Sequence, residues 1–149
     1  MPRAPSHATA DRPPSERVGI SRADLHAVVT VDPDSSCLEA LALLQRHRIT
    51  ALPVTTPSGQ LLGIVTLLDL LLPPDHTLTA PADRSTKVQM VMTTNVITAH
   101  PDDRIEQLVP HFSDGGLHHM PVLDGSERVI GMVTQADLIA ALFHAHIER

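Results

Sequence analysis

The sequence predicts an α/β fold, in the α+β sense, made of two pseudo-twofold-related β-α-β-β-α units packed through their small sheets. Two observations support this prediction. The chain of 149 residues repeats itself at an offset of 68 positions, and in each copy short extended segments alternate with segments of helical apolar spacing. A repeat of this length usually marks one supersecondary unit that cannot bury its apolar face alone. We therefore expect two interdependent halves.

The repeat joins residues 28–72 to residues 96–140 without a gap. Identical residues fall in every part of it: Thr30 with Thr98, Pro33-Asp34 with Pro101-Asp102, Pro53-Val54 with Pro121-Val122, Ser58 with Ser126, Gly63 with Gly131, Val65-Thr66 with Val133-Thr134, and Asp69-Leu70 with Asp137-Leu138. The aligned segments thus share turns, strands and helix starts.

The first copy opens with an extended segment at 28–31 and a turn at Asp32-Pro33-Asp34, whose carboxylates we expect to cap the following helix. That helix is predicted over 37–47, because its apolar residues recur on one face. The residues on this face are Cys37, Ala40, Leu41 and Leu44.

The first copy ends with a hairpin and a short helix. Strands are predicted at 51–55 and 60–65, because the segment 56–59 between them has the composition of a turn. A helix then runs from Thr66 to Leu72, where Pro73-Pro74 stops it.

The second copy repeats this order. Its elements are predicted as a helix at 88–93, a strand at 95–99, a helix at 103–113, strands at 119–123 and 128–133, and a helix at 134–147. Pro110 should kink or shorten the helix in which it lies, since proline removes a backbone donor, and Gly115-Gly116 should end it.

The remaining segments set the domain boundaries. Residues 1–19 are rich in proline and lack periodicity, which predicts a disordered leader, while Ser21 to Asp24 resembles a capping box. The predicted organisation is a leader at 1–19, a first motif at 20–73, a linker at 74–87 and a second motif at 88–149.

Composition excludes several classes of function. The net charge is −6, and the 11 lysines and arginines form no basic stripe, so nucleic acid is not an expected partner. The longest apolar runs are far shorter than the roughly 20 residues of a membrane span. No secretory signal is visible and Cys37 is the single cysteine, so we expect a cytoplasmic protein in which this residue belongs to the core.

Four short motifs resemble those of a known family. Gly63 to Asp69 and Gly131 to Asp137 both read G-h-h-T-x-x-D, and Ala51 to Val54 and His119 to Val122 both read x-h-P-V, where h is apolar. With these motifs at a fixed offset, residues 20 to 146 resemble a tandem CBS-domain pair, or Bateman module.

The resemblance implies a regulatory function and no enzymatic activity. Such a module would bind an adenine nucleotide or nucleoside, such as AMP, ADP, ATP or S-adenosylmethionine, in the cleft between its motifs. It would then pass the signal to a partner domain or dimer mate. No cofactor is required, and the expected assembly is a homodimer forming a flat disc of four motifs.

A narrower resemblance concerns the second motif. The segments Leu108 to Pro121 and Thr134 to Leu142 are similar to the CBS pair attached to bacterial HPP-family integral membrane proteins. This similarity implies an attached or associated membrane domain, with the present chain as a cytoplasmic part.

The resemblance implies crossed sites, meaning that each ligand site combines the closing motif of one copy with the opening strand of the other. One implied site contains Thr66, Asp69, Ile97, Leu117, His118 and His119, and the other contains Thr134, Asp137, Val29, Ile49, Thr50 and Ala51. Each aspartate would accept hydrogen bonds from a ribose, and each threonine would cap a helix near a phosphate.

The two implied sites differ in charge. The first contains His118-His119, where relatives can place basic residues near phosphates, whereas the second contains Thr50-Ala51. If the charge of a site determines its ligand, the first site binds a nucleotide, and the second binds a nucleoside or stays empty. The chain has two phenylalanines and no other aromatic residue besides histidine, so base stacking would be mainly aliphatic.

Other interpretations of these residues stay open. Thr66 and Thr134 could be helix caps alone, and the pairs Asp32/Asp34 and Asp102/Asp103 fit helix capping better than acid–base catalysis. His144 and His146 could approach His118-His119, but no spacing typical of metal ligands accompanies them, so we predict no metal site. The alternative function is a ligand-free structural dimerisation module that uses the apolar faces at 67–72 and 138–143.

Overall fold

The computed structural model describes residues 28–71, 86–113, 115 and 117–147, with side chains as far as His144. The predicted leader, the capping box at 21–24, Pro73-Pro74, Gly116 and most of the linker lie outside the described residues. Contacts divide the described chain into two units. The first unit contains the residues within 28–97 and 125–129, and the second contains those within 98–124 and 130–147.

The first unit contains the elements of the first copy. They are α1 (Cys37–His47), β1 (Ala51–Thr55), β2 (Leu61–Thr66) and α2 (Leu67–Leu71), followed by a 3₁₀ helix (Val88–Met90). The prediction is confirmed for α1 and β1, and β2 is displaced by one residue. The helix predicted at 88–93 is one 3₁₀ turn, and the strand predicted at 28–31 is a single parallel bridge from Val31 to Val54.

Helix α1 is capped by a serine and not by an aspartate. The Ser36 hydroxyl accepts a hydrogen bond from the Glu39 N–H (3.1 Å), which is the geometry of an N-cap. Asp32 accepts from the Asp34 N–H (2.8 Å), and Asp34 pairs with Lys87 (3.5 Å). The expectation that these carboxylates cap α1 is therefore wrong, because Asp32 is engaged by the turn before the cap and Asp34 by Lys87 and Gln89.

β1 and β2 form an antiparallel hairpin. Its register pairs Ala51 with Thr66 and Val54 with Gly63. The turn places Gly59 at φ +93°, a conformation that glycine adopts without steric cost. This hairpin brings the two ends of the family motifs, Ala51 and Thr66, side by side.

The second unit repeats these elements. Ala99 forms a parallel bridge with Val122, where the sequence predicted a strand at 95–99, and α3 (Ile105–Ser113) begins two residues later than predicted. β3 (His119–Leu123) agrees with the prediction, and β4 (Val129–Thr134) and α4 (Gln135–Ile147) each begin one residue late. β3 and β4 form a two-stranded sheet.

Proline is accommodated inside α3. Pro110 lies within this helix, which ends two residues before the position that matches the end of α1. The Leu117 N–H then donates to the His111 carbonyl (3.2 Å) and the Gly115 N–H to the Pro110 carbonyl (3.2 Å). The helix is thus shortened, as the sequence predicted, and its last carbonyls are satisfied by the following turn.

Each unit has its own apolar core, and the two cores correspond residue by residue at the 68-position offset. The core of the first unit contains Val31, Cys37, Ala40, Leu44, Leu52, Val54, Val65 and Leu70, together with Val88. The core of the second unit contains Ala99, Ile105, Leu108, Phe112, Met120, Val122, Val133 and Leu138. Cys37 is fully buried, so its predicted place in the core is confirmed. None of the described helices has the length and hydropathy to span a membrane.

Candidate functional site

Thr66 and Asp69 form a reciprocal pair of hydrogen bonds at the start of α2. The Thr66 N–H donates to Asp69 Oδ2 (2.9 Å), and the Asp69 N–H donates to Thr66 Oγ1 (3.3 Å). This arrangement is a capping box with aspartate in place of the usual glutamate. The predicted cap is confirmed, and both side chains are half-buried.

The second copy builds the same capping box. The Thr134 N–H donates to Asp137 Oδ2 (2.9 Å), and the Asp137 N–H donates to Thr134 Oγ1 (3.2 Å). The aspartates therefore have a structural reason to recur, which sequence reasoning did not identify. Because the box uses Oδ2, the other carboxylate oxygen, Oδ1, takes no part in it.

The residues before the proline strand lie beside this capping box in the first unit. Ala51 is the cross-strand partner of Thr66, and the Thr50 carbonyl accepts from the Leu67 N–H (2.9 Å). Thr50 is exposed, whereas Ala51 is buried. Residues assigned to two different crossed sites thus meet at one end of one hairpin.

The remaining site residues differ in exposure. In the first unit Val29 and Ile49 are half-buried and contact the core, whereas Ile97 is exposed. In the second unit Leu117 packs against the core and His118 is exposed. Since each crossed site takes residues from both units, the crossed pairing itself stays a prediction.

His119 is the half-buried first residue of β3. Burial lowers the pKa of its imidazole below the ordinary value, and the adjacent His118 lowers it further by charge repulsion. Desolvation disfavours the charged form of a histidine. At neutral pH His119 is therefore an uncharged hydrogen-bonding group and not a fixed positive charge.

Sequence reasoning missed Arg48, which directly follows α1. It has φ +54° and ψ +47°, and its backbone N–H caps the helix through the carbonyls of Gln45 and Leu44. The side chain is exposed, two residues before Thr50. The matching residue of the second copy is Gly116, and this contrast between arginine and glycine was the signal available in the sequence.

The described part of the chain shows no cluster of metal-binding side chains. Among those residues no group of three or more His, Cys, Asp or Glu side chains could hold a metal ion. Asp103 accepts from the His100 N–H (2.9 Å), so it stabilises the turn before α3.

Comparisons with known proteins identify the repeat. The family described as CBS domain matches residues 22–72 and 88–144. The chain is 33% identical over 110 residues to the L-aspartate semialdehyde sulfurtransferase of Methanocaldococcus jannaschii. The aligned region covers 74% of this chain and 20% of that enzyme. The chain therefore spans about a fifth of the length of this relative.

Two solved structures share the fold. The CBS domain pair of protein MJ0100, in complex with 5′-methylthioadenosine and S-adenosyl-L-methionine, is 30% identical with a TM-score of 0.70, covering 83% of this chain and 98% of that one. The CBS domain of a CBS-domain-containing membrane protein from Sphaerobacter thermophilus is 27% identical with a TM-score of 0.70, covering 90% and 92%.

Proposed function

The chain belongs to the CBS-domain family, and we propose that it is a regulatory module that binds an adenine nucleotide or nucleoside. Ligand binding would favour one arrangement of the two copies and so act on a partner domain or dimer mate, since a ligand shifts an equilibrium only through differential affinity. The proposal contains no catalytic step and requires no cofactor.

The proposal rests on the two capping boxes. Each holds an aspartate at a fixed place beside the end of a strand, with Oδ2 engaged by a backbone N–H and Oδ1 outside the box. A carboxylate so oriented can accept a hydrogen bond from a ribose hydroxyl without giving up its structural bond. The complex of the MJ0100 pair with two adenosyl compounds supports the same ligand class here.

A thermal-shift experiment tests the proposal. A ligand at 100 times its dissociation constant adds about 2.7 kcal/mol to the free energy of unfolding, which corresponds to about 5–10 °C for a domain of this size. We expect such a shift from at least one of AMP, ADP, ATP, S-adenosylmethionine and 5′-methylthioadenosine. No shift from any of them would refute the proposal.

Two conservative variants test the residue assignment. Asp69→Asn and Asp137→Asn each keep an oxygen that can accept from the threonine N–H, so the caps and the unliganded melting temperature should be nearly unchanged. The amide nitrogen only donates, so each variant should lose binding at its own site, and the double variant at both.

Asp34→Asn is the matched control, because this exposed aspartate pairs with Lys87 and not with a threonine cap. It should bind ligand like the unmodified protein. Undiminished binding by the double variant would show that the two capping-box aspartates do not contact the ligand.

A second candidate function is a structural dimerisation module without a ligand. Leu68 on α2 and Ile139 and Phe143 on α4 are 66%, 63% and 60% exposed, and such apolar exposure is typical of interaction surfaces. A stable homodimer that responds to none of the adenosyl compounds would favour this function over ligand sensing.

The partner domain is proposed from a relative. The Sphaerobacter thermophilus structure comes from a CBS-domain-containing membrane protein, which supports an attached or associated membrane domain, of the HPP type or another, with this chain on the cytoplasmic side. Sedimentation of the tagged chain with membranes after expression in its natural cell would support this placement, and recovery in the supernatant alone would oppose it.

A further inference from the structure

Arg48 occupies a backbone conformation that costs free energy. At φ +54° its Cβ crowds the following carbonyl, a penalty that glycine avoids. The second copy has glycine at the matching position. In the first copy, by contrast, a long cationic side chain occupies this strained conformation. Strained residues of this kind cluster at functional sites.

The charge of Arg48 is not used within the described structure. Among the described residues the side chains of Arg46 and Arg48 form neither an ion pair nor a hydrogen bond, and both are exposed. The chain as a whole carries a net charge of −6. Arg46 and Arg48 therefore place two cationic side chains just before Thr50 in an acidic protein.

The position of this charge relates it to the candidate site. Arg48 is joined through Ile49 to Thr50, whose carbonyl holds the first residue of α2 (2.9 Å). Ile49 is itself fixed, since its N–H donates to the Leu44 carbonyl (3.1 Å). The charged residue and the Thr50–Ala51 edge are thus parts of one hydrogen-bonded turn.

We propose that Arg48 lets the Thr50–Ala51 edge hold a phosphorylated adenosyl ligand, such as AMP or ATP, in preference to a neutral nucleoside. The inference rests on the proposed function, because it assumes that this edge contacts an adenosyl compound. It reverses the preference expected from His118-His119. In the second copy His119 favours its neutral form, whereas arginine offers planar, charged donors suited to phosphate.

A simpler role for Arg48 is to complement the helix dipole at the end of α1. Cations near a helix C-terminus stabilise it modestly, and Arg46 in the last turn of α1 would do the same. The two roles differ in what they predict. Dipole complementation changes stability and applies to both arginines, whereas phosphate recognition changes affinity and applies to Arg48 alone.

Calorimetric titration of the full chain with ATP and with adenosine tests the proposal. Arg48→Asn suits this backbone conformation and removes the charge, so it should weaken ATP binding about tenfold or more and leave adenosine binding within twofold. Its melting temperature should be unchanged or higher. Arg48→Lys should retain most of the ATP affinity, and Arg46→Gln is the matched control that should retain all of it.

The outcomes separate this inference from the proposed function. If the protein binds adenosine and ATP and Arg48→Asn leaves both affinities unchanged, the role of Arg48 is overturned and the sensor function stands. An equal loss of ATP affinity in Arg46→Gln would also overturn it, because the general positive charge of this segment, and not a contact made by Arg48, would then explain the loss. If neither compound binds to the unmodified protein, both proposals fail.

Discussion

At the residue scale, each copy has one charged residue with a left-handed backbone conformation, and the two residues lie at different positions of the repeat. Arg48 in the first copy matches Gly116, and Glu127 in the second, at φ +64°, matches Gly59. Each copy thus has glycine at one of the two positions and a charged residue at the other. At the matched positions 59 and 127 glycine and glutamate both have a positive φ, so the fold and not the side chain determines the conformation of this turn.

His119 gives the stability of the protein a defined pH dependence. Its pKa in the folded protein is lowered relative to about 6.5 in the unfolded chain. Below pH 6.5 the unfolded chain therefore binds the proton more readily, and the free energy of unfolding decreases as the pH falls. The contribution of His119 is complete above pH 6.5 and is lost as the pH passes through the folded pKa.

Urea denaturation between pH 5 and pH 7.5 measures this effect. His119→Gln should show a smaller decrease in stability towards pH 5 than the unmodified protein. His47→Gln, which removes an exposed histidine of α1, serves as the control and should keep the original slope. Parallel stability curves for the His119→Gln and unmodified proteins would contradict the assignment.

At the scale of elements, sequence reasoning predicted what depends on local pattern. The proline strands β1 and β3 and helix α1 have the predicted bounds, because their apolar spacing and flanking turns are encoded within a few residues. The reciprocal bonds of Thr66 and Asp69 were missed, because the same T-x-x-D spacing serves a cap and a ligand site. The segments 28–31 and 95–99 were predicted as strands, but each forms only one bridge, at Val31 and at Ala99. Their β-branched residues indicate an extended backbone and do not specify how many of them pair with a neighbouring strand.

Contacts between distant segments could not be predicted from local pattern. Thr93 pairs with Ile64 through two backbone hydrogen bonds of 2.8 and 2.9 Å, so the segment after the 3₁₀ helix lies along β2. A Cβ at Gly63 would be 2.6 Å from the Thr93 carbonyl and 2.9 Å from Met92 Sδ. The glycine of the family motif is therefore required here by the approach of another segment's backbone.

Gly63→Ala should destabilise the first unit. The added methyl group must displace a backbone carbonyl, and overpacking of this kind costs about 1–3 kcal/mol. Chemical denaturation measures the loss, and Gly125→Ala is the control, because a Cβ at Gly125 meets nothing within 4 Å. Equal stability losses in the two variants would show that the contact with residues 92–93 does not explain the need for glycine.

At the scale of the whole molecule, the exposed apolar side chains of α2 and α4 predict self-association. Leu68, Ile139 and Phe143 are each at least 60% exposed, whereas the corresponding buried faces of these helices contact the cores of their own units through Leu70 and Leu138. Each helix is thus apolar on two sides, and only one side is covered within the described chain. Burying the second side against another copy would remove this surface from water.

We expect the unmodified protein to be a dimer at micromolar concentration, as measured by sedimentation or light scattering. Leu68→Glu and Phe143→Glu should each shift it towards the monomer, because a carboxylate buried in an apolar interface is strongly disfavoured. Met90→Glu is the matched control, since Met90 is also exposed (65%) but lies on the 3₁₀ helix. A monomer at all accessible concentrations, or dissociation by Met90→Glu alone, would assign these apolar faces to a different partner. Retention of the dimer by Met90→Glu, with its loss in the other two variants, would place the interface on α2 and α4.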